Sequence, residues 1–185
     1  MPNHDKAQLR KIAKARRNEI SQSNNDAANI LFSNFNFPIS ENNIVSGFIP
    51  IGSEIDPRNL MGEIAKMGAQ LCLPRINSDT NNIDFHEYNL GDELEIGKMG
   101  LKEPFANKKI LDPDYIIVPL LAFDTKLYRL GYGGGYYDRA ISSLRKMQKI
   151  ITIGIGFDEQ KMDNIPIEPH DEKLDYILTE KNLYK

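Results

Sequence analysis

The chain has 185 residues, 41% hydrophobic and 26% charged, a balance that fits a soluble globular protein with room for one domain and a substantial core. No run approaches the roughly 20 apolar residues of a membrane span. The polar, basic start has no apolar stretch behind it, so no signal peptide is expected. The net charge of −3 conceals an asymmetry. Six basic side chains (Lys6, Arg10, Lys11, Lys14, Arg16, Arg17) against Asp5 and Glu19 make residues 1–20 positive, and the remainder is acidic. An acidic body argues against broad nucleic-acid binding, whereas the basic segment asks for a local anionic partner. The single cysteine, Cys72, forms no internal disulfide, reads as a core residue and fits a reducing cytoplasm.

Asp5 to Ile20 is expected to be a helix. Leu9, Ile12, Ala13 and Ile20 supply a modest apolar stripe, while Lys6, Arg10, Lys14 and Arg17 share one face. A second helix is expected over Ser21–Phe35 and a strand over Ile44–Ile49. Asp56-Pro57 reads as an N-cap and first helical position, opening a helix to Met67 that Gly68 ends. Strands follow at Ala69–Leu73 and Ile83–Tyr88, then a Gly-, Asp- and Lys-rich excursion over 89–114. Tyr115–Phe123 is an apolar run that reads as a buried strand, Tyr136–Met147 as a helix, and Ile150–Phe157 and Tyr176–Thr179 as strands. Alternating strands and helices predict an α/β fold, a three-layer α/β/α sandwich with a mainly parallel central sheet, in a single domain over 1–185.

The most informative stretch is Arg129-Leu130-Gly131-Tyr132-Gly133-Gly134-Gly135-Tyr136-Tyr137-Asp138-Arg139, with four glycines in five positions. Strand, glycine-rich turn and helix together point backbone N–H groups and a helix N-terminus at an anion. Arg129 supplies a phosphate ligand and Asp138, in the first helical turn, a candidate magnesium ligand. The spacing is neither a dinucleotide fingerprint, because Tyr136 stands where the third glycine belongs, nor a P-loop. A glycine hairpin without a ligand is the plainer alternative. His86 and His170 lack the spacing and companions of a zinc site.

Several motifs together resemble the 5-formyltetrahydrofolate cyclo-ligase family over nearly the whole chain. They are Lys6-x-x-x-Arg10, Pro50-x-x-x-Glu54-Ile55, Leu73-Pro74-Arg75, Gly100-x-x-Glu103-Pro104, the Phe123-to-Asp138 stretch, and Pro169-His170-Asp171-x-x-x-Asp175. The resemblance implies an enzyme that converts 5-formyltetrahydrofolate and ATP to 5,10-methenyltetrahydrofolate, ADP and phosphate with magnesium. It implies ATP contacts at Lys6, Arg10 and Arg129 through Tyr137 (Leu130, Gly131, Tyr132, Gly133, Gly134, Gly135 and Tyr136 between them). It implies folate contacts at Ile49, Glu54 and Tyr132 to Tyr136, catalytic roles for Arg129 and Tyr136, and magnesium ligands at Asp138 and Asp171. Arg75 fits a phosphate, the folate's glutamate tail or a structural salt bridge. The expected setting is a cytoplasmic monomer acting on small molecules, without nucleic acid or membrane. Two departures stand out: Leu127 where many members carry glycine, and Gly134 where some carry lysine. The alternatives are another ATP-dependent enzyme on the same scaffold, or a non-catalytic nucleic-acid-binding module using the basic helix.

Overall fold

The computed structural model describes residues 3–185, with side chains from Lys6 onward. In chain order the elements are α1 (Asn3–Ser23), α2 (Ala27–Asn34), β1 (Ile44–Ser46), α3 (Arg58–Lys66), β2 (Gln70–Ile76) and β3 (Ile83–Glu87). There follow β4 (Glu95–Ile96), β5 (Lys102–Glu103), β6 (Tyr115–Pro119), β7 (Ala122–Phe123) and β8 (Arg129–Leu130). The chain closes with α4 (Tyr136–Met147), β9 (Ile151–Ile155), β10 (Tyr176–Leu178) and β11 (Leu183–Tyr184).

Seven strands form one sheet in the order β11-β10-β9-β6-β1-β2-β3. The four inner pairings are parallel, and β3 and β11 join the two edges antiparallel. The period of two along β6 sorts its side chains between two cores. Tyr115 and Ile117 pack with Leu31, Leu60 and Ile64 of α2 and α3. Ile116 and Val118 pack with Ala140, Ile141 and Leu144 of α4 on the opposite face. Each such Leu or Ile contributes about 1.5–3 kcal/mol by leaving water. Helices on both faces make this the expected three-layer α/β arrangement. Among the described residues no helix is long and apolar enough to cross a membrane.

The sheet places a site by its topology. From β1 the chain proceeds to β2 on one side, whereas β6 proceeds to β9 on the other. The winding direction therefore switches between β1 and β6, and in open parallel sheets the crevice at the carboxyl ends of such a pair receives ligands. The segments leaving those two ends are 47–55 and 120–121.

Several boundaries differ from the sequence reading. The first helix runs on to Ser23, and Asn24 to Asp26 separate it from α2. Pro57 takes the N-cap position of α3, and the carboxylate of Asp56 accepts the Arg58 N–H at 2.9 Å from one residue earlier. The apolar run ending at Phe123 divides into β6 and a separate β7–β8 hairpin, so the glycine loop leaves from β8 and not from the main sheet. β11 was not anticipated. The 89–114 excursion contains the β4–β5 hairpin, and its last part lies along the outer edge of β3: Glu87 N–H donates to Lys109 and Leu111 N–H to Phe85, both at 2.8 Å.

The β7–β8 turn is organised by Asp124, which is fully buried. Its carboxylate accepts backbone N–H groups from Lys126 at 2.9 Å, Tyr128 at 3.0 Å and Ile165 at 3.0 Å. Leu127 within this turn takes φ +68, the left-handed conformation a glycine accepts without strain. The turn therefore keeps the shape a glycine would give it, while the leucine side chain is buried in the α4-side core. Strain relief of about 1–2 kcal/mol is smaller than the 2–5 kcal/mol or so lost when a buried leucine is truncated. Leu127→Gly should accordingly lower stability by about 1–3 kcal/mol in urea unfolding, and a more stable variant would show that backbone strain outweighs packing here.

Candidate functional site

The basic helix α1 is the spine of the site, and the face it buries is its cationic one. Lys6, Ala13, Arg17 and Ile20 are buried, while Ile12 is 53% exposed and Lys14 faces solvent. The expected apolar stripe through Ile12 is therefore corrected: cations and small apolar residues share one inward stripe. Three of its cations meet three separate parts of the chain.

At the amino-terminal end, Lys6 Nζ lies 2.9 Å from Glu168 Oε2 and 2.6 Å from Asp171 Oδ2. Glu168, His170 and Asp171 offer ligand atoms within 4.8 Å of one another. Next to them, Arg129 donates to Asp138 Oδ1 at 2.8 Å and to the Glu172 carbonyl at 3.0 Å. Asp138 also accepts the Glu172 N–H at 3.0 Å. Asp138 and Asp171, 33 residues apart in sequence, thus meet the same short tail segment. Arg129, read from sequence as a phosphate ligand, has a side chain that is only 5% exposed and faces these protein acceptors.

In the middle, Arg10 Nε donates to the Gly131 carbonyl at 3.0 Å. Gly133 has φ +102, and a Cβ there would come within 3.1 Å of the Arg10 guanidinium. The positive φ calls for glycine at this crossing, and a side chain there would also crowd the guanidinium. Gly135, at φ +64, caps the start of α4. At Gly134 a Cβ would lie 2.6 Å from the Tyr136 ring, so the absent side chain is where that ring folds back. Arg139 stands 5.0 Å over the Tyr136 ring and donates to the Gly134 carbonyl. The Tyr136 hydroxyl faces Asn81 and Met99, towards the β4–β5 hairpin. Leu130 is core, and Tyr137 packs against the α4-side cluster.

At the far end, Arg17 is buried to 1% exposure. Tyr132 of the glycine loop accepts from Arg17 Nη2 at 2.8 Å and donates to Glu54 Oε1 at 2.6 Å. Glu54 Oε2 accepts the Ile51 N–H at 2.8 Å. Burial pushes the Glu54 carboxyl above its ordinary value, against Tyr132, Ile51 and Arg17, which favour the ionised form. Burial and then the charge of Glu54 push the Tyr132 phenol up to about 12. Ile49, half-buried, packs against the α2–α3 core beside this group. All of it sits at the β1–β6 switch point.

Arg75 donates to Glu95 Oε1 and the Pro104 carbonyl, both at 2.6 Å, and so ties the base of the β4–β5 hairpin. Cys72 is buried, and burial pushes its thiol up to about 12. Sequence reading placed Arg17 on the basic face of the first helix without a role in the site, and it did not name Glu168. Their signals were the seven-residue step from Arg10 to Arg17, two helical turns on one face, and the position of Glu168 three residues before Asp171.

Fold and site define an α/β protein with a glycine loop and carboxylate groups gathered around a cationic helix at the switch point of a parallel sheet. A sequence model of the 5-formyltetrahydrofolate cyclo-ligase family matches residues 2–180, and the chain belongs to that family. The 5-formyltetrahydrofolate cyclo-ligase of Mycolicibacterium smegmatis is 32% identical over 145 residues, spanning 74% of this chain and 73% of that protein. That of Escherichia coli is 28% identical over 153 residues, spanning 80% and 84%. The 5,10-methenyltetrahydrofolate synthetase structure from Aquifex aeolicus superposes with a TM-score of 0.77 at 29% identity, covering 97% of this chain and 92% of that one. The Mycoplasma pneumoniae synthetase shares the fold, with a TM-score of 0.74 at 24% identity over 95% of this chain and 99% of that one.

The Lys6–Asp171 pair carries a pH signature. Burial alone would raise the Asp171 carboxyl, but the Lys6 and Glu168 N–H hydrogen bonds and the Lys6 charge hold it below its ordinary value. A depressed folded value means stability that is present above the unfolded value and is lost as pH falls through the folded one. Asp171→Asn should therefore lose less stability than the wild type between about pH 5 and about pH 3, read as urea midpoints. An equal loss in both proteins would assign the acid sensitivity to other groups.

Proposed function

We propose that this protein catalyses ring closure of 5-formyltetrahydrofolate to 5,10-methenyltetrahydrofolate, with ATP converted to ADP and phosphate. The observation that carries the reading is the hydrogen bond from Tyr132 to Glu54. It joins the glycine loop, the phosphate-binding element of the reading, to the carboxylate assigned to the folate. The two substrates are then brought together where these two elements meet.

The formyl oxygen is a poor nucleophile and a poor leaving group, so the protein's work is positioning and charge stabilisation. The formyl oxygen attacks the γ-phosphorus as the bond to the ADP oxygen breaks. N10 then attacks the activated formyl carbon, the carbon–oxygen bond breaks, phosphate departs and the N10 proton is released. Ile49 packs on the pterin face, and Glu54 accepts hydrogen bonds from its amino-pyrimidine edge. Backbone N–H groups of Gly131 to Gly135 and the start of α4 face the phosphates, with Leu130, Tyr136 and Tyr137 shaping the loop. Arg10 and Lys6 supply positive charge, Lys6 exchanging its carboxylate partners for phosphate oxygens. Arg129 orients Asp138, and Tyr136 borders the reacting groups.

The oxygen-donor set suits magnesium. Asp171 and Glu168 already converge on one cation, the Lys6 ammonium, and Asp138 meets the same tail segment. Asp138 and Asp171 would hold the ion, with Glu168 beside them. It would neutralise charge on the transferring phosphoryl group. We take the setting to be the cytoplasm and the active form a monomer without nucleic acid. The inward turn of Lys6, Arg10 and Arg17 supports this over a nucleic-acid-binding helix.

Purified protein with magnesium, ATP and 5-formyltetrahydrofolate should generate the near-ultraviolet absorbance of the methenyl product, with ADP in equal amount and no signal without ATP or magnesium. Asp138→Asn should fold and lose about two orders of magnitude or more in turnover. ATP hydrolysis that proceeds equally well without folate would overturn the reading in favour of another ATP-using enzyme.

A further inference from the structure

Arg17 belongs to none of the assignments above, yet its surroundings are the most completely built in the site. A guanidinium carries five N–H donors in a planar fork. Here Nε donates to Ser53 Oγ at 3.1 Å. Nη1 reaches the Leu120 carbonyl at 3.3 Å and Glu54 Oε1 at 3.5 Å. Nη2 reaches the Tyr132 hydroxyl at 2.8 Å and the Ile51 carbonyl at 3.5 Å. Every donor has an acceptor. Those acceptors come from the segment after β1, the residue after β6 and the glycine loop, the three pieces that border the switch point. Ser53 is held in turn by Asn18, the next residue of α1.

We infer that Arg17 is a positioning residue for the folate subsite: it fixes the Glu54 carboxylate towards the pterin edge and ties Tyr132 of the glycine loop to it. The inference rests on the cyclo-ligase reading. Glu54 is held by Tyr132, Arg17 and the Ile51 N–H, and its side chain is 3% exposed. The Tyr132 hydroxyl therefore occupies a donor position that a ligand N–H would take. When it leaves, Arg17 is the remaining side-chain donor that holds the carboxylate in place, and an ionised buried carboxylate without such a partner is strongly disfavoured. Lysine retains the charge but has three donors on one nitrogen, and it cannot span acceptors on three segments.

The test is a kinetic cycle of wild type, Arg17→Met, Glu54→Gln and the double variant, varying each substrate in turn. Arg17→Met is expected to raise KM for 5-formyltetrahydrofolate about ten- to a hundredfold, the range for loss of a buried charge partner. KM for ATP should stay within about threefold. Because Arg17 acts through Glu54, the double variant should be no more than about threefold worse than Glu54→Gln alone. A purely structural arginine would instead give equal losses for both substrates, or losses that multiply in the double variant, and either result overturns the inference. If Arg17→Met does not fold, Arg17→Lys serves: an intermediate rise in folate KM alone supports the assignment, and an unchanged folate KM in the folded variant overturns it. Wild-type protein that fails to convert 5-formyltetrahydrofolate overturns the cyclo-ligase reading and the inference with it. An active wild type with normal folate KM in folded Arg17→Met overturns the inference alone.

Discussion

Two cations of α1, Lys6 and Arg17, are almost entirely out of water. An unpaired ion in that position costs several kcal/mol even after relaxation, so the helix docks only where acceptors are delivered to it. The delivery comes from far along the chain: Glu168 and Asp171 for Lys6, and Ser53, Glu54, Leu120 and Tyr132 for Arg17. Apolar contacts at Ala13 and Ile20 add adhesion but little direction. The charge pairs set where along the glycine loop the helix lies. The helix in turn holds loop, tail and sheet ends in one arrangement.

This explains what the sequence disclosed and what it withheld. The glycine loop with α4 behind it was legible because glycine, helix periodicity and flanking charge each carry a local signal. The parallel sheet was legible because its strands are buried on both faces and read as continuous apolar runs. The orientation of α1 was not. Periodicity places Lys6, Arg10, Ala13, Arg17 and Ile20 on one stripe, but a charged stripe is ordinarily assigned to solvent. Only the partners, more than 30 residues away, turn it inward. The Asp124 turn was withheld for the same reason, since one of its three donors comes from Ile165. Leu127 was visible as a departure, but only the backbone angle shows that it adopts the glycine conformation instead of reshaping the turn.

The candidate site residues divide in the same way. Those identified through motif resemblance fall into three neighbourhoods along α1: the tail carboxylates, the glycine crossing and the Glu54 group. In each, a group expected to meet a ligand is engaged with another part of the protein. Lys6 holds carboxylates, Arg129 holds Asp138, and Tyr132 holds Glu54. Such pairings satisfy these polar and charged groups within the protein. Under the proposed function, substrate binding would be an exchange of partners, with net affinity set by the difference between two sets of contacts.

The rims of the sheet have a consequence of another kind. An unpaired strand margin offers a row of N–H and carbonyl groups to any other extended chain. β11 presents only two residues, and β3 has the 109–111 segment hydrogen-bonded along its outer side. A passing strand from a second copy thus finds one margin too short and the other already occupied. The excursion that looks like an elaboration around the site also serves as a bumper against edge-to-edge aggregation wherever the protein is concentrated.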